Sequence, residues 1–311
     1  MASKNSKSIK PKSFPAISAS LRLCVSFFVL IFLSCQTAPK MPEVFLPDAK
    51  FAPLDAGATT YIFASVKEAR PIIDNLPIEE LNDKQVIQML NRTGYLAVAF
   101  FPPESGRRFQ LVTWGNYPSN ANMAFASNKD WSRQRSATGQ TYWHSAVNNL
   151  SIAMNSKQAF IVASANAQPI DPFTAPPGIE IPEGFNEFRQ GSQGLSNAIL
   201  SCWLEGSGSS ITQMLNKAGV PIRVPVQRVF ISAFPSDSRY QAIIRLQFEN
   251  ASQARGIATL LSLASGFGSN DETVRLLLGH PPVQNGRNLD IKTAAFGEKE
   301  LSLLLEMFLL Y

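Results

Sequence analysis

Hydrophobic and polar residues alternate in short runs over much of the chain after residue 58, and a period of two is typical of strands that bury one face. Residues that favour turns, above all proline, glycine, asparagine and serine, separate these runs. The pattern predicts strands over 58–66, 95–101, 109–114, 141–145, 150–154, 158–164, 198–204, 229–234, 240–248, 274–278 and 289–295. The stretch over 128–140 is mostly polar and is predicted to be a loop.

Apolar residues at helical spacing predict helices between these strands, over 67–76, 78–91, 118–127, 210–218, 251–264 and 298–310. The last two are the most apolar, and a helix that is apolar nearly all round is buried in a core, in a partner or in a lipid interface. The candidate membrane or lipid contacts are Leu301, Leu304, Leu305, Phe308, Leu309, Ile257 and Leu261. Burial in the core is the favoured alternative, because interfacial helices usually carry more lysine and arginine than these two.

Two hairpins with similar turns indicate that the chain has two similar halves. The turns from Phe101 to Gln110 and from Phe234 to Gln241 share Phe-Pro, an acidic residue, Ser, Arg, an aromatic residue and Gln, with two residues inserted in the first copy. We therefore predict an α+β fold of two strand-helix-hairpin-helix-strand units with mainly antiparallel sheets, consistent with a pseudo-duplication. The alternative is coincidence, because matched positions in one short stretch do not establish a duplication.

The boundaries of these units follow from composition. Residues 165–193 are rich in proline and glycine and are predicted to be a linker between a first unit at 58–164 and a second unit at 194–311. Residues 35–57 contain four prolines and little periodicity, so they are predicted to be an extended tether.

The N-terminal region has the layout of a secretory signal peptide. An apolar run of eleven residues, Leu23 to Leu33, follows five basic residues, and no acidic residue precedes Cys35. A membrane-spanning helix would need about 20 apolar residues, so this run is too short to span. The four residues ending at Cys35 read Phe-Leu-Ser-Cys and resemble the bacterial lipobox, whose cysteine receives a diacylglyceryl group. We predict a lipoprotein signal peptide over 1–34 and lipidation of Cys35; a plain secreted protein is the alternative.

Charge and cysteine content limit the class of function. Five of the 28 basic residues precede Cys35, which leaves 23 basic against 23 acidic residues in the mature chain. A neutral mature chain argues against nucleic-acid binding, which needs a local excess of lysine and arginine. After Cys35, only Cys202 remains, so the body has no intramolecular disulfide. Its apolar neighbours predict a small buried residue rather than a catalytic thiol.

Candidate catalytic chemistry is sparse in this sequence. The two histidines, His144 and His280, lie far apart in the sequence, and no zinc-ligand spacing, nucleophile elbow or phosphate-binding loop is present. Gly206 to Ser210 is a glycine-serine turn without the lysine of a phosphate loop. We therefore predict a protein that is not an enzyme and has no cofactor or metal; an unrecognised hydrolase is the less favoured alternative.

The lipobox-like cysteine, the proline-rich tether and the segment from Tyr61 to Asp74 together resemble the spirochaete outer-membrane lipoproteins. That resemblance implies an α/β body with an apolar cavity, binding of lipid or another amphiphile, and helices that enter the inner leaflet of the outer membrane. The expected function is that of an envelope lipoprotein, attached through an acyl anchor at Cys35 to the outer membrane and facing the periplasm. A scaffold subunit of an envelope complex is the alternative.

Overall fold

The structure is a computed structural model, and it describes residues 54–74, 87, 90–102, 107–117, 123–126, 128–135, 139, 141–147, 149–155, 159–165, 179–190, 198–206, 212, 224–237, 239–266, 279–297 and 300. Several predictions concern residues outside these ranges. They are the signal peptide, Cys35, the strand over 274–278, most of the helices over 78–91, 118–127, 210–218 and 298–310, and the contacts Leu301, Leu304, Leu305, Phe308 and Leu309.

One antiparallel sheet organises the described part of the chain, and it contains strands from both predicted halves. The strands are β1 (Thr60–Ser65), β2 (Thr93–Phe100), β3 (Arg107–Gly115), β4 (Ser132–Arg135), β5 (Thr141–Ser145), β6 (Leu150–Asn155), β7 (Ala159–Ala165), β8 (Leu200–Glu205), β9 (Val226–Ser236), β10 (Arg239–Phe248), β11 (Val283–Asn285) and β12 (Asn288–Lys292). Their order is β11-β12-β10-β9-β8-β1-β2-β3-β7-β6-β5-β4. The predicted α+β class with antiparallel pairing is confirmed.

The described helices are α1 (Val66–Asp74), α2 (Met123–Ala126), α3 (Phe185–Gln190) and α4 (Ala251–Gly266). Helix α4 confirms the helix predicted over 251–264. The loop prediction over 128–140 is wrong in part, because this stretch contains strand β4. Its sequence, Ser-Arg-Gln-Arg, has no apolar residue and therefore no alternation to detect; pairing with β5 makes it a strand.

Strands β1 and β8 join the two halves at the centre of the sheet. They pair antiparallel, with Ile62 opposite Cys202. From this pair the strands run outward in the same order on both sides, as β1-β2-β3-β7 and as β8-β9-β10-β12. Both central strands are apolar and buried on both faces, as expected for strands inside a sheet covered on two sides.

The two hairpins differ in the length of their connections. Six residues join Phe100, the end of β2, to Arg107 of β3, and two residues join Ser236, the end of β9, to Arg239 of β10. Both ladders are antiparallel, with Phe100 opposite Phe109 and Ala233 opposite Ala242. The connection of the first hairpin is therefore the longer one.

Side chains alternate across the sheet, so each face has its own core. The first, which we call the helix face, packs residues such as Ile231, Ile244 and Leu246 against Ala69 of α1 and against α4. The second, the aromatic face, is built on Tyr61, Phe63, Trp203 and Phe230.

Residues 179–190 cover the aromatic face, although the sequence predicted a linker there. Phe185 and Phe188 are buried, and the ring of Phe185 lies 4.7 Å from that of Trp203. Trp203 also contacts Tyr61 at 4.5 Å and Phe63 at 5.4 Å between ring centroids. The described part of the predicted linker is therefore core, because its aromatic residues have an apolar surface to cover.

The residues that precede β1 pack against the aromatic face of the sheet. Leu54 is fully buried there, and the backbone N–H of Asp55 donates a hydrogen bond of 2.6 Å to the side-chain oxygen of Gln110. The Tyr61 hydroxyl donates to the carbonyl oxygen of Asp55 at 3.1 Å. Residues 54–57, predicted as the end of the tether, are thus part of the folded body.

Candidate membrane-facing surface

Helix α4 begins directly after β10 and crosses the helix face of the sheet. Its first turn is capped by Asn250, whose side-chain oxygen accepts a hydrogen bond of 3.0 Å from the backbone N–H of Gln253. The helix then continues to Gly266 and contacts β10, β11 and β12.

The inner side of α4 is part of the core. Ala254, Ile257 and Leu261 are spaced to lie on one side of a helix, and all three are buried. Ile257 and Leu261 belong to the same cluster as Ile244 of β10 and Leu289 of β12. The structure therefore places these two predicted lipid contacts in the protein core, which is the alternative that the sequence favoured.

The outer side of α4 carries leucines that the prediction of site residues missed. Leu260 is 39% exposed and Leu263 is 56% exposed. Arg255 is the only charged residue of the helix, and the Thr259 hydroxyl donates to the Arg255 carbonyl at 3.1 Å. We call Arg255, Thr259, Leu260 and Leu263 the outer α4 surface. The sequence contained a signal for these exposed leucines, because Leu260 and Leu263 do not share the helical spacing of Ala254, Ile257 and Leu261.

Two further large apolar side chains are exposed in the described part of the chain. Val283 of β11 is 65% exposed, and the neighbouring Gln284 side chain donates to the Ala251 carbonyl of α4 at 3.1 Å. Val147 is 76% exposed in the turn between β5 and β6, in the other half of the sheet. Val147 is thus an exposed apolar residue remote from α4 in the strand order.

The start of the predicted C-terminal helix is visible. Phe296 pairs with Tyr240 at the edge of the helix-face core, and the Gly297 backbone N–H donates to the Glu300 carboxylate at 3.0 Å. A glutamate reaching back three residues is the capping-box arrangement of a helix N-terminus. The apolar residues from Leu301 onward lie outside the described residues.

The structure does not bring the two histidines together. His144 Nδ1 lies 3.0 Å from the hydroxyl of Ser151, whose side chain is buried, while His280 lies exposed in a bend. Within the described ranges, no three His, Cys, Asp or Glu side chains are grouped as a metal ion would require. Among the helices described, none is long and apolar enough to cross a membrane.

Cys202 is a free cysteine at the centre of the sheet and is buried. Burial raises the pKa of its thiol to about 12, although a backbone hydrogen bond involving Ile231 opposes this shift. A protonated thiol is a poor nucleophile. The prediction that Cys202 is a small buried residue is confirmed.

Comparison with known proteins decides the family. The model of the family described as "Outer membrane-associated lipoprotein TP0453" matches residues 49–280, about three quarters of the chain. The chain belongs to this family. Among curated proteins, no sequence matches it.

Solved structures of TP0453 have the same fold. Crystal form III has a TM-score of 0.59 and 19% identity, and the match covers 82% of this chain and 96% of that one. Crystal form I has a TM-score of 0.58 and 20% identity, covering 86% and 99%. The resemblance to outer-membrane lipoproteins is confirmed, and this TP0453-family protein belongs to the bacterial envelope in association with the outer membrane.

Proposed function

We propose that the protein is a non-catalytic, lipid-anchored protein of the periplasmic face of the outer membrane that binds lipid or another amphiphile. Cys35 is the acylated residue, and the outer α4 surface is a second contact with the bilayer. The observation that carries this proposal is the pair Leu260 and Leu263, exposed on a helix whose only charge is Arg255. An apolar outer surface on a helix of an envelope protein favours a lipid interface.

The length of the tether permits both contacts at once. Eighteen residues separate Cys35 from Leu54, the first residue held on the aromatic face. At up to about 3.3 Å per residue, an extended tether spans about 60 Å. Helix α4 lies on the opposite face of the sheet, but stacked layers are only about 10 Å apart. The anchor therefore allows the outer α4 surface to turn toward the bilayer.

The expected free energies of membrane binding give different roles to the acyl anchor at Cys35 and to the outer α4 surface. Complete burial of a leucine side chain contributes about 1.5–3 kcal/mol. Leu260 and Leu263 are already partly covered, so each would contribute about 1 kcal/mol on insertion. Such a contribution is too small to hold the protein alone, since even a single acyl chain binds only marginally. The anchor at Cys35 retains the protein, and α4 sets its orientation.

Flotation with phospholipid vesicles tests the second contact. The chain from residue 35 carrying Cys35→Ser should float with phosphatidylethanolamine and phosphatidylglycerol vesicles, and L260E/L263E should lower its partition coefficient about thirtyfold. The control V147E places the same charge on an exposed apolar residue outside α4. Unchanged flotation of the double variant, or an equal loss in V147E, would contradict the assignment to α4.

Mass spectrometry of protein extracted from native envelopes tests the anchor and the ligand separately. We expect an N-terminal Cys35 carrying a diacylglyceryl group and phospholipid retained by the body. An intact signal peptide with an unmodified Cys35 thiol would refute the anchor. Lipid lost together with the acyl chain would refute a separate lipid ligand.

We also propose that the two units, 58–164 and 194–311, arose by internal duplication. The pairs Thr60–Leu204 and Ala64–Leu200 lie symmetrically about Ile62–Cys202. The four inner strands of each half also follow one antiparallel pairing scheme. This pattern supports a duplication in which the first half gained strands β4 to β6.

A further inference from the structure

Strand β4 is one edge of the sheet, and no other described strand than β5 pairs with it. All four of its residues are exposed. In an antiparallel edge strand, alternate residues direct their backbone N–H and C=O groups away from the sheet. These groups are a template on which another strand can pair.

Two arginines determine which strand can pair there. Arg133 and Arg135 are two residues apart, so they lie on the same face of β4, about 6.6 Å apart along the strand. In the part of the chain that is described, neither forms an ion pair; Arg133 donates to the Thr141 hydroxyl at 3.4 Å. Lys129 and Asp130 in the preceding turn cancel each other in charge. The edge therefore has a net charge of +2, from Arg133 and Arg135, although the mature chain is neutral overall.

This charge disfavours a second copy of the chain as the partner strand. Two β4 edges in antiparallel register would place arginines opposite arginines, and like charges across a ladder are destabilising. Carboxylates at alternate positions of a partner strand have the same spacing as the guanidinium groups of Arg133 and Arg135. An acidic strand could therefore form an ion pair with each arginine. Lipid phosphates would neutralise the arginines but would leave the outward backbone groups of β4 without a regular partner.

We propose that β4 binds an extended acidic segment of another envelope protein by antiparallel strand addition. Outward backbone groups of β4 supply the ladder, and Arg133 and Arg135 select acidic residues at alternate positions. The opposite edge, β11, differs because it has three residues, no charge and two prolines, Pro281 and Pro282, before it. Such features block pairing at an edge, so the two edges are not equivalent. This surface does not involve α4, and it is independent of the proposed membrane contact.

Fluorescence anisotropy with a labelled peptide tests the proposal. The probe is the capped hexapeptide Thr-Glu-Val-Glu-Val-Thr, added to the chain from residue 35 carrying Cys35→Ser. We expect saturable binding that weakens about tenfold between about 0.01 and about 0.5 M NaCl. Amide hydrogen exchange of residues 132–135 should slow when the peptide binds, because outward N–H groups become paired.

Charge reversal tests the role of the arginines. R133E/R135E should lower affinity for the acidic peptide about tenfold and create affinity for the peptide with lysine in place of glutamate. The control K67E/K292E reverses two exposed lysines on other elements and should bind as the wild type does. Circular dichroism establishes folding, and R133Q/R135Q, which removes charge without reversing it, should show an intermediate loss.

Three results would overturn the proposal. The first is equal binding of the acidic peptide with N-methylated backbone amides, which would indicate ion pairing without strand addition. The second is no exchange protection at 132–135 in the presence of saturating peptide. The third is binding to anionic phosphatidylglycerol vesicles that depends on Arg133 and Arg135 while the acidic peptide does not bind, which would assign the edge to lipid headgroups.

Discussion

At the scale of single residues, burial decides the chemistry of this protein. Cys202 has the only described thiol, and it lies between β1 and β9 in the middle of the sheet. Water is excluded from it, so the neutral form is favoured and the pKa rises to about 12. The same thiol at an exposed position would be reactive near pH 8.5.

The raised pKa of Cys202 predicts a loss of stability in alkali. An unfolded thiol ionises near pH 8.5, whereas the folded thiol stays protonated up to about pH 12. Its contribution is complete below about pH 8.5 and decreases as the pH rises from there to 12, by up to about 1.4 kcal/mol per pH unit. Denaturant unfolding at several pH values should show a steeper decrease for the wild type than for C202A. Parallel curves would contradict this prediction.

At the scale of elements, α4 is stabilised by tertiary contacts more than by its own sequence. Gly256 lies in its interior and is exposed, and glycine lowers helix stability by about 1 kcal/mol relative to alanine. The cap at Asn250 and the buried side chains of Ile257 and Leu261 hold the helix on the sheet. The residue that lowers the stability of the helix, Gly256, therefore lies on the outer side of α4, away from the core contacts.

Two glycine substitutions should have opposite effects. A Cβ at Gly256 meets no atom within 4 Å, so G256A should raise the free energy of unfolding by about 0.5–1 kcal/mol. A Cβ at Gly115, at the irregular end of the β2–β3 ladder, would collide with the backbone carbonyl of Arg92. G115A should therefore lower stability by about 2 kcal/mol. Equilibrium unfolding measures both; a stable G115A protein would show that the backbone at Arg92 can move.

At the scale of the whole molecule, the shared sheet makes the two halves interdependent. The β1–β8 ladder joins them, and Trp203 packs against Tyr61 and Phe63 from the first half and against Phe185 from the covering segment. A core that receives residues from both halves cannot be lost in one half alone. Cooperative unfolding follows from this arrangement.

W203A should lower the free energy of unfolding by about 3–5 kcal/mol. The transition should remain single, and native-state hydrogen exchange of β3 and β10 should be accelerated together. The control V147E replaces an exposed residue and should change stability little. Separate transitions for the two halves, or faster exchange in β10 alone, would show that the units fold independently.

Local pattern was sufficient for the elements whose apolar residues face a core. Alternation predicted β2, β5 and the hairpin of β9 and β10, and helical spacing predicted α4. Alternation did not predict β4, which has no apolar residue. It also did not predict that residues 179–190 are buried, because their proline and glycine are typical of a linker. For the candidate site, the sequence identified α4 but selected its inner residues, Ile257 and Leu261, instead of the exposed Leu260 and Leu263.

The sequence alone determined the antiparallel α+β class, the buried state of Cys202 and the membership of an envelope lipoprotein family. Those properties depend on residue types and short spacings, which are local. Only the tertiary structure decided that both halves share one sheet, that 179–190 is core, and which side of α4 meets solvent. Hydrophobic spacing specifies that a helix has an apolar side, but the position of the sheet beneath it decides which leucines are covered and which remain exposed.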